Sequence, residues 1–501
     1  MSNIFEQARK NSSKVAIISN ANSYSYEDIL LGAEQIASTL LKSRQDLSGA
    51  RIAFMIPGSH QYIQTLWGIW MAGGIAVPLN DNHPFPSVQY ILEDTEAELL
   101  ILPDEIIEKW KPIKEGLAIQ LVPISAFQPA SNDRPSSLPA IAADRPAMIL
   151  YTSGTTSKPK GVLSTHANIE SQIQTLIQAW SWQQSDHILC VLPLHHVHGI
   201  INVCSCALWS GATLEFLPKF SSEAVFARFL QGKINLFMAV PTIYFKLIAY
   251  YEGLTSSMQK RISDRLHAFR LMVSGSAALP VSVLERWKTI SGHTLLERYG
   301  MTEIGMAVSN PYKGERRPGH IGQPLPGVEL RIVDEAGEEV TQGEQGEIQV
   351  KGPNVFREYW RKPQATEEAF TSEGWFKTGD VARWNNGYIR ILGRNSVDII
   401  KTGGYKVSAL EIEEAMRQHP VIADCAVVGI PNDEWGELVA AALVLSHPDL
   451  NFDHLEGWLR EQIATYKVPR KYRILDALPR NALGKVTKPA IKKIFLDENG
   501  D

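Results

Sequence analysis

The eleven residues Tyr151-Thr152-Ser153-Gly154-Thr155-Thr156-Ser157-Lys158-Pro159-Lys160-Gly161 hold five Ser/Thr hydroxyls, two glycines and two lysines. That mixture suits a polyphosphate. Glycine lets backbone N–H groups turn toward an anion at close range. The hydroxyls add short donors, and Lys160 supplies a point charge for a terminal phosphate. Neither G-x-x-x-x-G-K-[ST] nor G-x-G-x-x-G occurs, so the loop belongs to neither common nucleotide motif. The alternative is a Gly/Ser/Thr surface loop. Apolar Ala147-Met148-Ile149-Leu150 runs straight into the segment, as a strand feeding a binding loop would, and this favours phosphate.

Further along stand Gly275-Ser276-Ala277-Ala278, Arg298-Tyr299-Gly300-Met301-Thr302-Glu303, Thr378-Gly379-Asp380, Gly393-Arg394 and Pro479-Arg480-Asn481-Ala482-Leu483-Gly484-Lys485. Glu303 offers a hard oxygen to a Mg²⁺ shared with phosphate, and Thr302 a hydrogen bond to the α-phosphate. The same pair also reads as a helix N-cap followed by a first-turn acid. Tyr299 presents a face for adenine, with Gly300 letting the purine lie near the backbone; a core tyrosine is the alternative. Gly275 and Ser276 are small enough to form the other wall. Asp380 can accept both ribose hydroxyls, although a solvated turn aspartate looks the same locally.

Taken in order, these motifs resemble the adenylate-forming superfamily of acyl-CoA synthetases, luciferases and peptide-synthetase adenylation domains. The resemblance spans nearly the whole chain, with Ser157 where the family usually has Gly. It implies ATP, Mg²⁺ and CoA as ligands, and a reaction in which a carboxylate is converted to an acyl-adenylate before a thiol displaces AMP. By the same resemblance Lys485 reaches the carboxylate and α-phosphate, and Arg394 is a second ribose contact. His196 gates the acyl pocket, with His198 beside the substrate. Gly403-Gly404-Tyr405-Lys406 lines a pantetheine tunnel after the small domain rotates. Neighbouring histidines diverge and no acid completes a set, so His195-His196-Val197-His198 is not read as a zinc site.

Arg298 occupies the position that faces the acyl pocket in this family. A fatty acyl tail would strand its charge at a cost of several kcal/mol. A second carboxylate on the substrate would pair with it through a bidentate fork, with Ser276 adding a hydrogen bond. An internal pair with a protein acid is the alternative. The runs Glu297–Glu303, Asn310-Pro311-Tyr312, Gly314–Gly319, Gly352–Phe356 and Ser396–Glu411 resemble the malonyl-CoA synthetase family, which implies malonate, with methylmalonate a further candidate. A short- or medium-chain monocarboxylate ligase is the second reading. A nucleotide-binding relative without chemistry would lack Lys485 or Glu303.

Elements that must carry these residues are legible in outline. Tyr24–Leu41 has helical apolar spacing with Ser25, Glu27 and Asp28 at its start. Arg51–Ile56 reads as a buried strand, followed by a helix through Trp67, Ile69 and Met71. Such alternation predicts an α/β large domain of layered sheets and helices. Past Gly327 short β segments predict a small β-barrel-like subdomain. Helices at Ala409–Gln418 and Leu455–Ile463 flank a strand at Cys425–Ile430, as in a small mobile α+β domain. Length alone suggests about three domains. The motif order gives residues 1–393 as the adenylation domain, 394–398 as a hinge and 399–501 as the mobile domain. With 44% hydrophobic residues, 21% charged and net charge −5, the composition is that of a globular protein with no basic face for nucleic acid. The Val197–Leu217 stretch is too polar to span a bilayer. Four cysteines make neither a disulfide framework nor a metal pair. A polar Met1–Lys14 segment containing Glu6 predicts a cytoplasmic enzyme.

Overall fold

Two largely parallel sheets organise the first three quarters of the chain in this computed structural model, which describes residues 2–80, 83–127, 137–152, 159–217, 219–432, 434–447, 450–481 and 485–497. One sheet runs, from edge to edge, 358–359, 160–165, 146–152, 75–78, 51–54, 99–102 and 120–123. Its central strands 75–78, 51–54 and 99–102 pair in parallel and are almost wholly apolar, as a sheet covered on both faces requires. The other has nine strands; its centre places 271–274 between 236–239 and 296–301.

Helix Tyr26–Leu41 begins with the capping box foreseen at Ser25, whose side chain accepts from Asp28 N–H while the Asp28 carboxylate accepts in return. It packs against helix His60–Met71, and Gly68 makes the close approach possible: a Cβ there would lie 2.7 Å from Ile36 Cγ2. Trp67 and Trp70 are fully buried beneath them, each worth about 1.5–3 kcal/mol of apolar transfer. Trp70 Nε1 donates to Ala147 O at 2.8 Å, which fixes the strand Pro146–Thr152 that leads to the phosphate loop.

The β-rich region past Gly327 is a four-stranded antiparallel sheet in the order 329–333, 345–351, 376–385, 388–394. The last part of the chain builds a five-stranded sheet from 399–402, 405–408, 422–432, 436–445 and 471–474, with helices Ala409–Met416, Phe452–Gln462 and Lys488–Leu496. No helix among the described residues is long and apolar enough to cross a membrane. The apolar run after Leu192 holds a surprise: His198–Ser205 is wound as a buried π-helix, a rare form found mostly at functional sites.

Candidate active site

The acyl pocket forms where neighbouring parallel strands end. Strands Leu271–Ser274 and Leu296–Met301 pair with Ser274 opposite Glu297, so Gly275 and Ser276 emerge beside Arg298, in the crevice where open α/β sheets bind ligands. Arg298 is 3% exposed. Among the described residues its only hydrogen bond is a long one of 3.4 Å from Nη2 to Ser276 Oγ, and Nε and Nη1 have no partner there. Desolvation pushes its pKa down to about 9. The neighbouring Glu297 does not pair with it: its Oε1 accepts from Gly319 N–H at 3.2 Å. Gly275 was read as a wall for adenine, yet it also backs the guanidinium. A Cβ at Gly275 would lie 2.5 Å from Arg298 Cζ, so only glycine leaves room.

Ser276 sits at φ 69°, a left-handed conformation that costs a non-glycine residue about 1 kcal/mol or more. Its hydroxyl lies 3.2 Å from His198 Nδ1. Ser276 Oγ accepts from Arg298 and can donate its own proton to His198 Nδ1, the pairing that goes with the imidazole proton on Nε2. Burial drives the His198 pKa well down, the Arg298 charge adding to the effect, so the ring is neutral. Nε2 is buried without a partner. The pocket therefore gathers three unused donors, Arg298 Nε and Nη1 and His198 Nε2, an arrangement that answers a carboxylate.

On the phosphate side, residues 153–158 of the loop (Ser153, Gly154, Thr155, Thr156, Ser157 and Lys158) lie outside the described residues. Its two ends are placed. Thr152 Oγ1 reaches Lys160 O at 3.5 Å, and Pro159 O accepts from Tyr90 at 3.0 Å. Lys160 Nζ stands 4.8 Å from the centre of the Tyr359 ring, and Tyr359 donates to Glu303 Oε1 at 3.0 Å. Sequence gave no hint of Tyr359; the short strand Glu358–Tyr359, paired with strand Lys160–Thr165, brings it in. Thr302 and Glu303 do not begin a helix. They form the turn between strands Leu296–Met301 and Gly305–Ser309, which overturns the N-cap alternative: strand pairing outcompetes the local helix signal. Glu303 is buried, desolvation raises its pKa, and Oε2 has no partner. A buried carboxylate oxygen left open fits a hard divalent cation. Among the described residues no group of three His, Cys, Asp or Glu could hold a metal, so a cation at Glu303 would take its other ligands from phosphate and water.

Asp380 and Arg394 face each other across strands 376–385 and 388–394, Arg394 Nε donating to Asp380 Oδ1 at 3.1 Å. Tyr299 donates to Asp380 Oδ2 at 2.6 Å, so the residues expected to wall the adenine and hold the ribose are joined directly. Lys485 sits in a turn closed by Asn481, whose N–H donates to Lys485 O at 2.9 Å. Its side chain keeps solvent contact. Even so its pKa falls, first through desolvation and then through the positive charges of Arg394 and Arg298, with Asp380 opposing. The Lys485 charge in turn contributes to lowering the pKa of His196 to about 4, after burial. The His196 ring lies 4.0 Å from that of His195, tilted by 50°. The small domain thus carries Lys485 into the cleft.

Gly403, Gly404, Tyr405 and Lys406 are not brought there. Tyr405 is exposed and stacks on Tyr466 at 4.3 Å, and Lys406 pairs with Glu335 at 2.6 Å. Asp398, in the expected hinge, accepts from Arg394 N–H at 3.0 Å and pairs with buried Lys488 at 2.5 Å.

Residues 4–360 match the AMP-binding enzyme family, and 411–485 match the AMP-binding enzyme C-terminal domain. The chain is 43% identical to the malonate–CoA ligase ACSF3, mitochondrial, of Mus musculus, over 98% of this chain and 90% of that protein. The crystal structure of ATP-bound MatB from Rhodopseudomonas palustris superposes with a TM-score of 0.91 at 32% identity, covering 99% of both chains. Its apo form gives a TM-score of 0.81 at 32% identity. O-succinylbenzoate CoA synthetase from Bacillus subtilis, in complex with ATP and magnesium ion, gives 0.85 at 26% identity over 98% of this chain and 99% of that one. The chain belongs to the AMP-binding, adenylate-forming family and, within it, to the group of the malonate–CoA ligases.

Proposed function

We propose that the protein is an ATP-dependent malonate–CoA ligase that passes through malonyl-AMP, releasing pyrophosphate and then AMP. The observation that carries the substrate is Arg298, buried, with Nε and Nη1 unpartnered and no acid paired with it among the described residues. A guanidinium in that state lowers its free energy only by meeting an anion, and the far carboxylate of a short diacid supplies one. His198 Nε2 and Ser276 complete its binding. A butyrate or hexanoate tail would leave all of these donors unpaired, so the monocarboxylate reading is disfavoured. Methylmalonate adds one methyl, which a pocket discriminates by only about 1–3 kcal/mol.

In the first half-reaction the near carboxylate oxygen attacks the α-phosphorus of ATP and the bond to pyrophosphate breaks. Lys485 and Thr302 lie where charge develops on the α-phosphate oxygens, and Lys160 with the loop at 152–160 holds the departing phosphates. Glu303 would hold Mg²⁺, which when bound would offset the negative charge of the triphosphate. Tyr299, Gly275 and Ser276 wall the adenine, while Asp380 and Arg394 hold the ribose. His196 gates the acyl pocket. In the second half-reaction the CoA thiolate adds to the carbonyl and AMP leaves with the bonding pair. Lys485 occupies that approach, so residues 399–501 must turn about 394–398, bringing Gly403, Gly404, Tyr405 and Lys406 in to line the thiol path. Pyrophosphate release with ATP, Mg²⁺ and CoA across acetate, butyrate, octanoate, malonate, methylmalonate and succinate tests the reading. Malonate is expected to give the highest kcat/KM by at least tenfold over butyrate; equal turnover of butyrate would sink the substrate assignment.

A further inference from the structure

Helix Val281–Ser291 hangs directly from the acyl-pocket wall at Gly275–Pro280, and it starts without a cap of its own. Pro280 stands at the N-cap and offers no side-chain hydrogen bond, leaving the first N–H groups open. The partner comes from the other domain. Glu414, on helix Ala409–Met416, accepts from Val281 N–H through Oε1 at 3.1 Å. A carboxylate at a helix N-terminus also meets the positive end of the helix dipole. Glu414 is half-buried there and close enough to Glu297 for its charge to act on that buried carboxyl. Lys406 with Glu335, both exposed, is a second bridge between the domains, but an exposed pair of that kind contributes little.

We infer that Glu414 is a positioning residue for adenylate formation: by capping helix Val281–Ser291 from the mobile domain, it holds that domain where Lys485 enters the cleft. The bond joins residues on either side of the hinge, so it exists only in this arrangement and must open before the thiol can approach. Glu414 touches no substrate. Its influence falls on the first half-reaction alone, through the population of the lysine-in arrangement.

The inference rests on the two-step ligase reading, and the test separates the two. Adenylation is followed by malonate-dependent pyrophosphate–ATP exchange, and thiolysis by CoA consumption of supplied malonyl-adenylate. Glu414→Ala is expected to slow exchange about fivefold, the scale of the net contribution of one ordinary intramolecular hydrogen bond, with thiolysis changed less than twofold. Glu414→Gln keeps the acceptor and should restore at least half of the exchange rate. Val281→Pro deletes only the donor, at a helix position that tolerates proline, and should reproduce the fivefold loss from the other domain. The double variant Val281→Pro/Glu414→Ala should be no slower than either single one. Unchanged exchange in Glu414→Ala, equal slowing of both steps, or multiplying losses in the double variant would each overturn the role. Spin labels placed one on each domain read the same contact without turnover. The four native cysteines are buried, which keeps introduced labelling sites specific. The short inter-domain distance should lose population in Glu414→Ala, and an unchanged distribution would count against the latch. Failure of the wild-type chain to activate malonate would instead defeat the ligase reading, while the label distances still decide the latch.

Discussion

Arg298 is held in a condition that costs the folded protein free energy until substrate arrives. Two of its three nitrogens are unpartnered and its pKa is depressed to about 9 by burial, so its charge is retained at neutral pH against a desolvation penalty. Replacing it with an apolar side chain removes the penalty and the substrate contact together. Arg298→Leu is therefore expected to be more stable than the wild type, by about 1–4 kcal/mol in urea unfolding. Malonate kcat/KM should fall by roughly 10³–10⁴, the scale of losing a buried polar match. A variant that lost malonate activity and stability alike would mean the guanidinium is a structural group. At this scale the sequence was informative because Arg is a costly residue to bury and its position, next to Tyr299, resembles a pocket-facing one. It said nothing of Gly275 making room for the guanidinium, or of Ser276 and His198 settling which imidazole nitrogen carries the proton. Those facts depend on two strands of one sheet ending side by side, which no local pattern encodes.

Strand Leu296–Met301 serves both the pocket and the domain interface because side chains alternate along it. Arg298 turns toward the acyl pocket, and Glu297 turns toward Gly319 and the mobile domain. Glu297 is buried, and its pKa rises from 4.5 to about 8, chiefly through desolvation and further through the charge of Glu414, against the Gly319 hydrogen bond. A raised carboxyl pKa means that the folded protein keeps a proton the unfolded chain has released between those two values. The stability this confers is complete below about pH 4.5, shrinks as pH rises, and is gone above about 8. Glu297→Gln keeps an acceptor for Gly319 and removes the titration. The wild type should lose about 2–3 kcal/mol more than the variant between pH 6 and pH 9; parallel pH–stability curves would contradict the assignment. Elements with strong local signals were readable: the Ser25 capping box fixed one helix start, and Ala147–Leu150 marked the strand before the phosphate loop. The helix-like start at Thr302-Glu303 misled because antiparallel pairing of 296–301 with 305–309 overrides a two-residue cap signal. The π-helix at His198–Ser205 was invisible, since hydrophobic periodicity over eight residues does not distinguish an i→i+5 helix from an α-helix or a buried strand. Tyr359 reaches Glu303 across 56 residues of sequence, a meeting that only the edge strand at 358–359 arranges.

Across the whole molecule the cleft is short of negative charge. Lys160, Arg298, Arg394 and Lys485 converge on a site whose own acids are Asp380 and Glu303, and Arg394 and Arg298 both act to lower the Lys485 pKa. Bringing the mobile domain down onto this excess of cations is favourable chiefly when ATP and a dianionic acid supply the missing charge, which couples domain position to substrate occupancy. Lys485 is the cation that leaves when the domain turns, so its contribution belongs to one half-reaction. Lys485→Ala is expected to slow malonate-dependent pyrophosphate–ATP exchange by roughly two to three orders of magnitude, the scale of losing one transition-state contact. Thiolysis of supplied malonyl-adenylate should change little if, as proposed, rotation about 394–398 has by then put residues 403–406 in its place at the carbonyl. Relief of the cation crowding should also let the variant bind ATP without loss, leaving KM for ATP within about threefold while kcat for exchange falls. Equal damage to both half-reactions would place Lys485 in a fixed part of the site, and rotation about 394–398 would then have no work to do.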